Sequence, residues 1–351
     1  MDDLRRNARI TSFDVAERAG VSQSTVSRAL SGSSVISEAT RQKVMNAAQA
    51  MGYYVDERAA RLRRGHTGTL AVVVICKPGG RARDVNPFSY ALLGGICAAA
   101  ADQGLEVLVS LQADEDKLFG HYVERGQAEG MIVIGTTANR PAWDYFSDVG
   151  RAAAKAGGQA SAPVAFWGSP LGDLDRVLSD NETGARSAAD HLIDQGAKNL
   201  VCIGSLGSPQ RQFAERAQVF LNRAKERGVP AELIEIEPAD ARRDQGRIAA
   251  KKLFAAHPEC DGVFAVCDAL AFGVIEELHS AGVRIPDDLR LVGFDGIPAS
   301  EMTSPPLTTI EPDLDLAGRM LVEAVAGGMG EGEDHPKVQR VPVKLVKRAS
   351  S

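Results

Sequence analysis

Little in this sequence is equipped for chemistry. Its 351 residues include only five cysteines, Cys76, Cys97, Cys202, Cys260 and Cys267, an odd set with no CxxC pair. Segments such as VVVICK and NLVCIG surround them with apolar neighbours, which points to buried, reduced thiols and not to a disulfide framework. Six histidines are scattered without HExxH or another ligand spacing, so no metal site is expected. There is no GxxxxGK[ST] phosphate loop and no well-placed GxGxxG, and GSLG near Ser205 lacks the spacing of a nucleophile elbow. Without a nucleophile and base, a phosphate cradle or a metal constellation, neither catalytic residues nor a cofactor are expected. No apolar run reaches eighteen residues, and the opening MDDLRRNARITS has no apolar stretch of a signal peptide. The expectation is a cytoplasmic protein without a membrane partner.

What is present is ordinary in composition but uneven in charge. The 44% hydrophobic and 25% charged content suits a globular protein, and the length suits two or three domains. Residues 1–65 hold eleven Lys and Arg against seven Asp and Glu, whereas the remainder holds 29 against 39. A basic head on an acidic body fits a nucleic-acid-binding module joined to a separate regulatory part.

Three short helices fit the first fifty residues. Thr11 with Asp14 forms a capping pattern ahead of Phe13, Val15, Ala16 and Ala19, and Gly20 ends the helix. Ser22 caps a second helix reaching about Leu30. Ser37 caps a third, which carries Val44, Ala47, Ala48 and Met51 and ends at Gly52. The second helix, in GVSQSTVSRAL, buries only Val21, Val26, Ala29 and Leu30. Its remaining face is Ser22, Gln23, Ser24, Thr25, Ser27 and Arg28, all able to hydrogen-bond. Helix, turn, helix and brace is the helix-turn-helix arrangement, and such a polar face suits base edges in a major groove. A three-helix bundle with a serine-rich surface is the alternative. The following VDERAARLRRGHTGT is a short arginine-rich segment, too short for an isolated helix and suited to ordering on DNA.

From Leu70 onward, strands apolar on both faces alternate with amphipathic helices. LAVVVI, LEVLVSL, GMIVIG and PVAFW form one series, with helices near 88–103, 115–127 and 141–157. NLVCIG, ELIEIE, GVFAV and LRLVGF form another, with helices near 182–195, 210–227, 242–256 and 268–281. Two such series predict two doubly wound parallel-sheet α/β subdomains. The stretch from Gly168 to Asp180 and the late PPLTTI are read as links between them. A ligand would bind at the carboxyl ends of the strands, in the cleft between the halves.

These residues resemble the LacI/GalR family of bacterial transcription repressors. The matching stretches are ITSFDVAERAGVSQSTVSRALSG, VISEATRQKV, ARLRRG, NPFSYALLGGI, SDNETGARSAADHLI, ERAQVF, FAVCDALAFGVIEEL, GVRIPDDLRLVGFDGIP and SPPLTTIEPDLDLAGRM. Their order and spacing carry the resemblance from about residue 10 to 346. It implies an N-terminal all-α helix-turn-helix domain over residues 1–55, a hinge helix or linker over 56–65, and a periplasmic-binding-protein-like body over 66–351. Within that body the expected subdomains are 68–167 plus about 297–328, and 168–296 plus about 329–346. It further implies a homodimer on near-palindromic double-stranded operator DNA, with affinity set by a small-molecule effector, a sugar or sugar acid. No leucine-heptad extension follows VKLVKRASS, which favours a dimer over a tetramer.

By the same resemblance, Ser24, Thr25 and Arg28 read bases. For Ser22 and Ser27 the alternatives are phosphate contact or capping. In the hinge segment, Ala59, Leu62 and Arg63 fall at the DNA, with Leu62 as the leucine wedged into the central minor-groove step. Arg58 stands where the family has an apolar residue, and the family's proline and asparagine at the hinge start are missing. In the body, Arg216 and Asp268 match effector-bonding positions, with a surface salt bridge to Glu215 or Glu226 and a helix cap as their respective alternatives. Phe88 and Trp167 are aromatic candidates at the cleft, Phe88 with a core position as its alternative. One departure stands out: Ala241, followed by Arg242 and Arg243, replaces an aromatic that stacks on the family's effectors. An anionic effector, a larger sugar, or plain solvent-facing arginines each fit that change. Other readings left open are a sugar-binding receptor without DNA function, and an activator or corepressor-dependent regulator.

Overall fold

The computed structural model describes residues 10–54, 66–156, 163–168, 176–237, 241–326 and 338–351. The chain divides into two compact units, Met1–Thr67 and Gly68–Ser351. The hinge candidates Ala59, Leu62 and Arg63 lie outside the described residues.

The first unit contains α1 (Ser12–Ala19), α2 (Gln23–Leu30) and α3 (Glu38–Met51). Local chemistry sets each boundary. Thr11 and Asp14 close a full capping box on α1, and Gly20 leaves it in the left-handed region at φ 58°. The Ser22 and Ser37 hydroxyls accept the backbone N–H groups of Thr25 and Thr40 at the starts of α2 and α3. Val15, Ala16, Ala19, Val26, Ala29, Val44, Ala47 and Ala48 form the common core, so α2 contributes only two fully buried side chains. Phe13, expected inward from its spacing, is 70% exposed. Its neighbours Val15 and Ala16 fill the inward face instead.

The second unit has two six-stranded sheets. Its strands are β1 (Thr69–Ile75), β2 (Glu106–Gln112), β3 (Gly130–Gly135), β4 (Val164–Trp167), β5 (Arg176–Ser179), β6 (Leu200–Gly204), β7 (Ala231–Glu235), β8 (Gly262–Ala265), β9 (Arg290–Phe294), β10 (Thr308–Pro312), β11 (Val338–Val341) and β12 (Val343–Val346). The first sheet runs β11-β5-β4-β3-β1-β2, all parallel; the second runs β12-β10-β9-β8-β6-β7, parallel except for β12. Strand β1 shows why the sequence reads as it does. Leu70, Val72 and Val74 join the core on one face, while Ala71, Val73 and Ile75 join the core on the other.

The helices of this unit are α4 (Pro87–Asp102), α5 (Arg140–Ala156), α6 (Asn181–Asp194), α7 (Arg211–Glu226), α8 (Arg242–Ala256), α9 (Asp268–Ser280) and α10 (Leu314–Ala326). Helices α4 and α10 lie against each other beside the first sheet, with Gly95 facing Leu314 and Gly318 backbone so closely that no Cβ fits there. Helices α6 to α9 clothe the second sheet. Among the described residues no helix is long and apolar enough to cross a membrane, and no cluster of His, Cys, Asp or Glu could hold a metal ion. Cys76, Cys202, Cys260 and Cys267 are buried free thiols, and burial raises the pKa of each.

The expected apportionment of the body needs correction. The resemblance places residues 168–296 in the second half, but β5 joins the first sheet. It places residues 297–328 in the first, where α10 does lie, but β10 pairs with β9 in the second. Strand β11 likewise joins the first sheet, and only β12 the second. These strands are four or five residues long and carry polar residues (RVLS, TTIEP, VQRV), so they lack the apolar runs that mark the central strands. The stretch 115–127 is not helical. It is a turn-rich segment held where Phe119 exchanges hydrogen bonds with the Gln112 amide, its apolar side chains covering the second face of the first sheet.

The chain therefore passes between lobes three times: at Asp180 after β5, at Asp313 after β10, and at Pro342 between β11 and β12. These crossovers lie side by side. Asp180 N–H donates to Val341 O at 2.9 Å, and Asp313 N–H donates to Pro342 O at 3.1 Å.

Candidate functional site

Two sites emerge, one in each unit. In the first, Ser24, Ser27 and Arg28 are exposed on α2, and Thr25 is half-buried. The Ser22 hydroxyl is spent locally: it caps α2 and lies 2.9 Å from Ser24 Oγ and 2.8 Å from Thr25 Oγ1. Capping is thus its structural role. Val26 is fully buried, as its place among the apolar positions requires. The result is a helix anchored along one narrow stripe, with hydroxyls and a guanidinium on its open face.

The second site lies at the carboxyl ends of β6, β8 and β9 in the second lobe, close to where the strand order reverses between β6 and β8. Arg216, on α7, is only 4% exposed. Its Nη1 donates to Val266 O at 2.8 Å and to Asp295 Oδ1 at 3.0 Å, and its Nε donates to Asn181 Oδ1 at 2.8 Å. Its guanidinium lies 3.5 Å from the centroid of the Phe294 ring, a cation–π arrangement. The surface ion pair considered for Arg216 is therefore replaced by a buried one with Asp295.

Asp295 escaped the sequence reading. It follows β9 directly and is the only described non-glycine residue with a positive φ, at 121°. Such a conformation costs on the order of 1–3 kcal/mol and persists only where its surroundings impose it. Here the Asp295 N–H bonds Ile310 O at 2.8 Å. Burial pushes the Asp295 carboxyl up to about 6, against the pull of the Arg216 guanidinium. The signal was available in GFDGIP: aspartate tolerates positive φ better than most residues, and this one stands between a strand and a glycine.

Asp268 is placed otherwise than expected. It is the first residue of α9, but its carboxylate oxygens are taken inside the lobe: Oδ1 accepts from Thr309 Oγ1 at 2.6 Å and Oδ2 from Ile297 N–H at 3.0 Å. Burial, with Asp295 nearby, holds its pKa well above the usual carboxylate range. With its acceptors engaged and no exposed surface, Asp268 locks the loop after β9 in place, and Asp295 is the carboxylate that meets Arg216.

Phe88 and Trp167 are brought together in the first lobe, with ring centroids 5.7 Å apart and planes at 39°. Both are mostly buried in the core beside α4, so Phe88 takes its core alternative. Beyond Trp167 a pocket of about 430 Å³ opens between the lobes. Gly168, Arg176, Leu178 and Arg340 line it from the first lobe; Arg211, Gln212 and Glu215 line it from the second. Glu215 bridges to Arg340 at 3.0 Å and accepts from Asn181 Nδ2 at 2.8 Å. Asp295, Arg216, Asn181, Glu215 and Arg340 thus form one polar chain from the interior of the second lobe to the edge strand of the first.

The arginines that follow Ala241 part company. Arg243 pairs with Glu276 on α9. Arg242 turns to α7, with its guanidinium 4.8 Å from the Phe213 ring centroid and its N–H groups donating to Gln245 and Gln210.

Comparison with known proteins agrees with this architecture. Residues 13–56 match the bacterial regulatory proteins of the lacI family, and residues 189–351 match a periplasmic binding protein-like domain. The HTH-type transcriptional regulator CelR of Thermobifida fusca is 27% identical over 355 residues, spanning 98% of this chain and 97% of that protein. The HTH-type transcriptional repressor CytR of Escherichia coli K12 is 30% identical over 319 residues, spanning 88% of this chain and 87% of its own. Among solved structures, the lac repressor dimer bound to operator and the anti-inducer ONPF matches with a TM-score of 0.74 at 23% identity, over 97% of this chain and 98% of that one. A CelR–cellobiose complex matches with a TM-score of 0.63 at 24% identity, over 98% of this chain and all of its own. With a helix-turn-helix unit, a two-sheet body and relatedness along nearly the whole sequence, the chain belongs to the LacI family of bacterial regulatory proteins.

Proposed function

We infer that this protein is a cytoplasmic transcriptional repressor that binds near-palindromic operator DNA as a homodimer and is controlled by a polyhydroxylated small molecule held between the lobes of its body. The observation that carries the effector half is the buried Arg216–Asp295 pair at the carboxyl ends of the second sheet. A forked donor beside a carboxylate can address neighbouring hydroxyls of one ring, as donor and acceptor respectively. The DNA half rests on α2, whose open face carries Ser24, Thr25, Ser27 and Arg28. Arg28 is suited to a bidentate guanine contact, and the hydroxyls to phosphates or less selective base contacts. Leu62, with Ala59 and Arg63 beside it, is proposed as the minor-groove wedge.

Control follows from linkage. An effector changes operator affinity only by binding the two states of the body unequally, and the operator changes effector affinity by the same factor. Asn181 is the physical route: it receives Arg216 Nε–H and is the first residue after the crossover at Asp180. Genome-wide footprinting of the purified protein tests the reading, followed by gel retardation on recovered sites with candidate sugars. Discrete palindromic sites released or tightened by a small molecule are expected. Uniform, sequence-independent retention would overturn the repressor assignment, and unchanged affinity and bending in Leu62→Ala would remove the wedge.

A further inference from the structure

The pocket between the lobes is unlike the surface around it. Residues 66–351 carry 29 basic against 39 acidic side chains, yet among the described residues the pocket is lined by Arg176, Arg211 and Arg340 and by one carboxylate, Glu215. That carboxylate is already shared between Arg340 and Asn181. Arg211 has no carboxylate partner among the described residues. Arg242 forms no ion pair among the described residues: it donates to two neutral amides, and its charge acts on the buried Asp295 from a distance. Both sit by the first turn of α7, where Gln210 gives no side-chain cap and no acidic residue offsets the positive end of the helix.

A second observation comes from Gln212. It is 7% exposed, it lines the pocket, and its Oε1 has no hydrogen-bond partner among the described residues. A buried acceptor left unpaired is costly, and a ligand hydroxyl in the pocket would satisfy it. The demands at this end of α7 are thus for negative charge beside Arg211 and Arg242, and for a hydroxyl donor at Gln212.

We propose that the effector is an acidic polyol of about sugar size, whose carboxylate or phosphate is held by Arg242 and Arg211 at the start of α7 while Gln212 accepts one of its hydroxyls. The proposal rests on the effector reading of the body given above and names its ligand class. Arg243 takes no part, because Glu276 already neutralises it. The volume of the pocket, about 430 Å³, suits a small molecule and not a polymer.

Calorimetry on the full chain, with matched ligands, tests this. The probes are D-galacturonate against D-galactose, D-glucuronate against D-glucose, and glucose 6-phosphate to separate phosphate from carboxylate recognition. At least one acidic member should bind at least about tenfold more tightly than its neutral partner, with affinity falling as salt rises. The Arg242→Gln and Arg211→Gln variants should each lose most of that preference, while Arg243→Gln retains it; their melting temperatures confirm folding. Neutral sugars binding as well as acids, no acid binding at all, or a preference untouched by Arg242→Gln would overturn the proposal. Operator retention on the same preparations separates the two failures. A DNA-binding protein that answers only to neutral sugars keeps the repressor reading and sinks the acidic one, whereas loss of sequence-specific retention in the unaltered chain sinks the repressor reading itself.

Discussion

Asn181 holds Arg216 from the side, Oδ1 to Nε at 2.8 Å, one residue after the chain has crossed from the first lobe to the second. Its amide nitrogen meanwhile holds Glu215, which reaches the first lobe through Arg340. A ligand that alters Arg216 therefore acts on a residue adjoining a crossover. Asn181→Ala should leave effector affinity within a few-fold of the parent but weaken the effector's influence on operator binding, at a stability cost of about 1–3 kcal/mol for the donor and acceptor left unpaired. Gel-shift titrations with and without effector measure the coupling; full coupling in the variant would exclude this route.

The ionisation of Asp295 has opposite consequences for stability and for binding. Its folded pKa of about 6 lies above the ordinary 3.8, so the folded protein holds the proton more tightly between those values. That contribution to stability is full below the unfolded pKa and is lost as pH rises through about 6. Burial opposes the carboxylate, while Arg216 and Arg242 favour it. Effector hydroxyls that donate to Asp295 need it ionised, so effector affinity should fall as pH drops below about 6. Calorimetry across that range is the check. The slope should vanish in Asp295→Asn together with most of the binding, and a flat profile in the parent would contradict the assigned role.

Asp268 should behave as a structural residue. Asp268→Asn keeps an oxygen to accept from Thr309 or Ile297 and should remain folded and able to bind effector. Asp268→Ala leaves both donors unpaired in the interior and should cost about 1–3 kcal/mol or more. Urea denaturation gives the cost, and calorimetry on the folded fraction shows whether binding survives. Complete loss of effector binding in a stable Asp268→Asn protein would return this residue to the binding site.

On α2 the capping and reading roles should separate. Ser22→Ala removes the cap on Thr25 N–H and should lower the stability of the helix-turn-helix unit by about 1 kcal/mol. Arg28→Ala touches no core contact and should leave the melting temperature unchanged while costing about 1–3 kcal/mol of operator affinity, concentrated at one base position. Melting curves and binding to single-base operator variants distinguish the two.

The central strands and most helices were legible because their side chains serve one demand at a time. A run buried on both faces, as in β1, can hardly be anything else. The short strands β5, β10 and β11 were not, since RVLS, TTIEP and VQRV are four or five residues long and partly polar, and pairing with a neighbour makes them strands. Residues 115–127 carry helix-compatible apolar spacing, but Gln112 and Phe119 bind the segment into turns through contacts no local pattern announces. At the site, Arg216 was legible from its motif, whereas Asp295 was not: its importance arises from a backbone conformation and from a partner 79 residues away. Asp268 shows the converse, a carboxylate at a helix start whose acceptors are claimed by Thr309 and Ile297.

Strands β11 and β12, separated only by Pro342, supply one strand to each sheet. A ribosome must therefore deliver residues 338–346 before either lobe can close its sheet. The first lobe cannot finish and wait while the second is made, as independent domains often do during synthesis. Both nascent lobes stay incomplete, with an open sheet edge on each, until the same nine-residue stretch emerges. Completion of the two is then a single late event, and a chain stalled before Val338 would expose two unpaired edges at once.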